Sequence, residues 1–107
     1  MVTELDLEKA YQDVSKATQD TYSAGETYEL AKEGLEKDIL MATFEGRIQG
    51  KNEGERKAVA LQMFPDKHED MDCKENLYKV AGHMLALARI RLDFIRDCIR
   101  IEELAKK

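Results

Sequence analysis

Apolar positions in the first half of the chain fall on two interleaved lines. Every seventh residue from Leu7 gives Leu7, Val14, Thr21, Tyr28, Leu35 and Ala42. Every seventh from Ala10 gives Ala10, Ala17, Ala24, Ala31 and then Asp38. The lines alternate at spacings of three and four, which is a heptad seam along one helix. The pattern predicts a first helix over about residues 3–49, ~70 Å long at 1.5 Å per residue. Its second line is almost all alanine, so a partner helix can approach closely. Gly25 and Gly34 leave the phase intact and are placed inside the helix, each costing ~1 kcal/mol relative to alanine. Ser23 with Glu26 could cap a restarted helix, so a break near Gly25 stays open as an alternative.

The stretch "GRIQGKNEGERKAV" (residues 46–59) interrupts the seam. Gly50 reads as the stop of the first helix. Asn52 reads as the N-cap of the next, with Glu55 three residues on as its capping-box acid. The second helix is expected over residues 53–64, where Pro65 ends it, since proline lacks an amide hydrogen and clashes with the preceding turn. The acids Asp66, Glu69 and Asp70 then open a third helix over about residues 67–105.

On that third helix the apolar arc is wide. One edge is Val80, Leu87, Phe94 and Ile101; the middle is Leu77, Met84, Ala88, Ile95 and Cys98; the other edge is Tyr78, Leu85, Leu92 and Ile99. One partner helix cannot cover such an arc. The expected second partner is another copy of the chain, with Leu85, Leu92 and Ile99 as the self-association residues. Arg91 is the one charge in the middle of the arc. It either snorkels to an edge or forms a buried ion pair with Asp13 or Asp20. His83 is placed at the margin of the arc as a packed imidazole, and Cys98 inside it as an inert thiol. The fold expected is therefore all-α: an elongated antiparallel helical hairpin with its return arm broken at Pro65, forming a single domain over 1–107 and assembling into a dimeric helix bundle.

Composition agrees with long solvated helices. In 107 residues, charged side chains make up 36%, with one proline and no tryptophan, which argues against a sandwich or barrel. Charge is unevenly placed. Residues 1–46 carry 11 acids and 4 bases, a net of −7; residues 76–107 carry 4 acids and 7 bases, a net of +3. That asymmetry favours pairing of the two arms, through surface pairs typically worth ~0–1 kcal/mol each. No apolar run approaches the ~20 residues of a membrane span, and "MVTELDLEKA" carries no signal-peptide pattern. Two cysteines, Cys73 and Cys98, are too few for a disulfide scaffold and fit reduced, packed thiols in a cytoplasmic protein.

Catalytic chemistry finds little support. A phosphate loop needs four residues between its glycine and the Gly-Lys pair, then Ser or Thr. Here three residues separate Gly46 from Gly50, Asn52 replaces the hydroxyl, and a helix rather than a strand precedes. The cluster "DKHEDMDC" (residues 66–73) lacks the central glycine and twelfth-position glutamate of a calcium loop, and no zinc spacing surrounds it. Neither His68 nor His83 has a glutamate three residues before it, as helix-bundle metal sites require. No catalytic, cofactor or metal site is expected. Arg89, Arg96 and Arg100 line the polar side of the third helix as candidate nucleic-acid contacts, but no aromatic or glycine accompanies them to read bases.

The run "EGRIQGKNEGERKA", preceded by a long Ala/Tyr/Glu-rich helix and followed by an ending "IRIEELAKK", resembles a group of small helical proteins encoded by bacteriophages and prophages. In those proteins a long helix leads into a "GKN" corner and a second long helix closes the chain. The resemblance implies a phage or prophage product in the cytoplasm of a bacterial host cell, and carries over no catalytic residue. The function expected is a non-catalytic protein-binding module: a homodimer, acting as an accessory factor on host proteins and not at membranes. The alternative is a nucleic-acid-associated factor in phage replication or recombination, using the basic face of the last helix.

Overall fold

The computed structural model describes residues 1–106. Among them are three helices: α1 (Glu4–Phe44), α2 (Glu53–Met63) and α3 (Pro65–Ala105). The chain divides into two compact units, one of residues 1–24 with 78–107, the other of residues 25–77. In each unit α1 and α3 run antiparallel, so the fold is an all-α helical hairpin with the break of its return arm just before Pro65. Among the described residues, no helix is long and apolar enough to cross a membrane.

In the first unit, α1 opens on a capping box. Asp6 N–H donates to the Thr3 hydroxyl (3.2 Å), and Thr3 N–H donates back to the Asp6 carboxylate (2.8 Å). These two bonds satisfy donors that a helix start otherwise leaves orphaned. Ala10, Leu92 and Ile95 form the core, with Val2, Leu7, Val14 and Ile99 packed around them. Ala10 is 2% exposed, because a methyl lets the α3 backbone close over it. Polar ties run the length of the pairing: Val2 N–H to Glu102 (3.2 Å) and the Thr21 hydroxyl to the Ala81 carbonyl (3.1 Å).

The second unit is built around the corner. α1 stops at Phe44, five residues earlier than expected, and the glycine responsible is Gly46, not Gly50. Gly46 adopts φ +74; its N–H bonds the Thr43 carbonyl (3.0 Å), and Arg47 N–H bonds the Ala42 carbonyl (2.9 Å). This is the Schellman arrangement, in which a left-handed residue returns two amides to the last carbonyls of the helix. The reversal drops Ile48 into a core with Ala42 and Ala60, against which Ile39, Val59, Met63 and Phe64 pack. Gly50 has a different job. A Cβ there would lie 2.9 Å from the Arg56 backbone nitrogen and 2.9 Å from Glu55 Cβ, so its lack of a side chain lets the loop pass against the start of α2.

Asn52 caps α2 as expected: its side chain accepts from Glu55 N–H (2.9 Å). Glu55 reaches back to Lys51 N–H (2.7 Å) rather than to Asn52. Pro65 takes the first position of α3, where a missing amide hydrogen costs nothing. Glycines 25 and 34 lie inside an unbroken α1.

Candidate functional site

At 100° per residue, two faces of α3 in the first unit stand roughly 120° apart. The packed face carries Leu85, Leu92, Ile95 and Ile99. The other face has Val80, Leu87, Phe94 and Ile101 as its central line, flanked by Met84, Ile90 and Leu104, and among the described residues nothing covers it. Leu87 is 60% exposed and Phe94 64%, whereas Leu92 is 7% exposed.

This placement corrects the expected self-association residues. Leu92 is part of the intrachain core, Ile99 packs against that core, and Leu85 is half-buried. They are used inside the hairpin, and the opposite edge of the arc is the one left exposed. The physical reason is the alanine line of α1. Its small side chains accept the bulky Leu92 edge at close range, which turns the Val80–Ile101 line outward.

Other expectations shift with the same rotation. Arg91 is exposed, and instead of a buried ion pair it supplies a weak long-range pull on Asp6; Asp13 pairs with Lys9 (3.3 Å). His83 is exposed, not packed, because it lies on the outward flank. Cys98 is half-buried, whereas Cys73 is exposed rather than packed.

The polar margin of α3 is held by specific contacts. Arg96 donates from Nε to the Tyr11 hydroxyl (3.1 Å) and from Nη2 to the same oxygen, while its guanidinium carbon sits 5.0 Å from the ring centroid. The Tyr11 hydroxyl accepting from it holds the Arg96 pKa above its ordinary value. Arg100 donates to Asp97 (3.3 Å). Asp6 is pulled below its ordinary 3.8, first by the backbone and then by the side-chain hydrogen bond from Thr3. Arg89, Arg96 and Arg100 do share a side of α3, but Asp93 and Asp97 alternate with them, and two of the three are engaged with Tyr11 and Asp97. That strip is therefore mixed in charge.

Sequence reasoning missed the Tyr11–Arg96 pair. The available signal was register. Once Ala10 is set against Ile95, the next residue on each helix, Tyr11 and Arg96, falls on the same side of the seam.

The second unit holds a groove of about 600 Å³, floored by Ile39, Ile48, Ala60 and Leu61 and rimmed by Arg56, Lys57 and Glu53. His68 closes one end, with Nδ1 donating to the Phe64 carbonyl (2.8 Å). Among the described residues, no three His, Cys, Asp or Glu side chains gather as metal ligands. The acids of residues 66–72 are instead strung along the first turns of α3, where Lys74 pairs with Asp70 (2.8 Å) and Lys67 reaches Asp38 on α1.

No protein-family model, no curated protein and no solved structure matches this chain.

Proposed function

We propose that this chain is a non-catalytic protein-binding module that works through the uncovered apolar face of α3. The observation that carries the reading is the apolar content of that face, interrupted at His83, Arg91 and Asp97. Val80, Met84, Leu87, Ile90, Phe94, Ile101 and Leu104 are each more than half exposed. Together they offer on the order of 800 Å² of apolar surface, above the ~300–600 Å² of the largest patch on a typical monomer. Heptad spacing makes the face suitable for another helix, since residues at intervals of three and four meet a partner as knobs in holes. The resemblance to phage and prophage helical proteins makes host proteins one class of partner to look for, in a bacterial cell; another copy of the chain is the second.

Site-specific photo-cross-linking in bacterial cells tests the reading. A photoreactive residue at Leu87 or Phe94 is expected to give covalent protein adducts, and one at the exposed Gln19 of α1 is expected to give none. If Leu87 and Phe94 give no more adduct than Gln19, the reading fails. Adducts with nucleic acid rather than protein would favour a nucleic-acid-associated factor instead.

A further inference from the structure

The proposal above leaves open what lies against the α3 face. Resting on that reading, we infer that the occupant is a second copy of this chain, packed antiparallel, with Leu87 facing Leu104 of the second copy and Ile90 facing Ile101 of the second copy.

Area is the first argument. Leu87, Ile90, Phe94, Ile101 and Leu104 are each 60–64% exposed. Buried on both copies, they remove on the order of 1,200 Å², and the stems of Arg91 and Arg100 beside them add to this. That total reaches the ~1,200–2,000 Å² range of specific interfaces. A two-fold pairing needs one patch complementary to itself, and a heptad stripe of Leu, Ile and Phe meets that requirement.

Charge sets direction and register. In a parallel pair each seam residue faces its own copy, so the Asp97 carboxylates, in line with Ile90 and Leu104, would oppose one another, as would the two His83 rings; in the antiparallel register Asp97 faces Phe94 of the second copy instead. In an antiparallel pair, each flank of the stripe meets the same flank of the second copy. One flank carries Ala86, Asp93 and Arg100 at seven-residue intervals. In the register given, Asp93 meets Arg100 of the second copy, and the contact occurs twice by symmetry. Arg100 already touches its own Asp97 at 3.3 Å, so each guanidinium would bridge two carboxylates. A shift of one heptad toward the N-terminus instead sets Asp93 against Asp93, and one heptad the other way sets Arg100 against Arg100. Exposed pairs of this kind add little affinity, but like charges placed opposite one another reject the wrong register. α1 lies on the other face of α3, so it does not obstruct the second copy.

Sedimentation and cysteine cross-linking together test the inference. Wild-type protein at micromolar concentration is expected to sediment as a dimer. In a background with Cys73→Ser and Cys98→Ala, a mixture of Leu87→Cys and Leu104→Cys proteins should form disulfide-linked dimers, and neither variant alone should. Asp93→Arg or Arg100→Asp should each weaken dimerisation about tenfold or more, equivalent to ~1.4 kcal/mol, and the double exchange should restore it. Leu87, Asp93, Arg100 and Leu104 are exposed, so circular dichroism of these variants should show the same helicity as their parent protein. A monomer at these concentrations overturns the inference, as do efficient cross-linking of Leu87→Cys with itself and failure of the double exchange to rescue. The two readings fail separately: photo-adducts with other proteins only would end self-pairing and leave the binding module standing, whereas no adduct of any kind ends both.

Discussion

The two compact units solve one problem with different means. The first must hold two helices together without a third element, and it does so by contacts between residues far apart in sequence: Ala10 with Leu92 and Ile95, Tyr11 with Arg96, Val2 with Glu102. The second has α2 and a loop to cover its core, and its shape is set by bonds between near neighbours: the Gly46 turn, the Asn52 cap and the close passage of Gly50. Long-range pairing leaves one face of α3 bare. Local turns fold the chain over itself and bury Ile48. Uncovered surface therefore follows from how many elements a unit has, since the apolar content of α3 is more than one neighbour can use.

The comparison can be broken from either side. The largest effect should come from Leu92→Ala, which truncates a core residue in the unit with the fewest elements. A loss of about 2–5 kcal/mol is expected, measured by chemical denaturation. Hydrogen exchange should show protection falling in residues 1–24 and 78–106 and persisting around Ala42 and Ala60. Equal loss in both units would mean they are not separately held.

Gly50→Ala attacks the other unit. Its added methyl meets a backbone nitrogen that cannot swing aside, so a cost of about 1–3 kcal/mol is expected, as for overpacked sites. Faster exchange should begin at the first amides of α2. A wild-type melting temperature in this variant would show that the loop has room after all. Smaller still, Asn52→Ala removes one cap and should cost ~1 kcal/mol, with Asn52→Asp close to neutral; thermal melts of the three proteins would rank them.

The smallest effect belongs to pH. Asp6 is held below its ordinary 3.8 by its bonds with Thr3. A carboxylate whose folded pKa is depressed stabilises the fold above its unfolded pKa, and the contribution disappears as pH falls through the folded value. Helicity at the start of α1 should therefore decline below about pH 4, and Asp6→Asn should remove that part of the titration. An identical acid profile in the variant would assign the change to other carboxylates.

Much of this was legible in the residues. Every member of the α1 seam from Leu7 to Ala42 is buried or half-buried, and Asn52 caps α2. Periodicity and capping are properties of short segments, so they survive reading without a partner in view. Two things were not legible. Gly46 and Gly50 lie four residues apart, and either could stop a helix. The choice depends on which stop lets Ile48 reach Ala42 and Ala60, a contact made only in the folded unit. The outward face of α3 was hidden for a similar reason. Both edges of its arc are apolar, and only the fit of Leu92 over Ala10 decides which one turns in.

The alanines of α1 also divide the chain by how much change it will bear. Ala10 and Ala42 are 2% and 1% exposed, and any larger side chain there pushes two helices apart. Phe94 and Leu87 could become serine with little harm to folding. A library of variants screened only for folded protein should keep the small residues and let the large ones drift. Should a screen for activity retain Phe94 and Leu87 as well, the difference between the two screens would outline the working surface without any partner in hand.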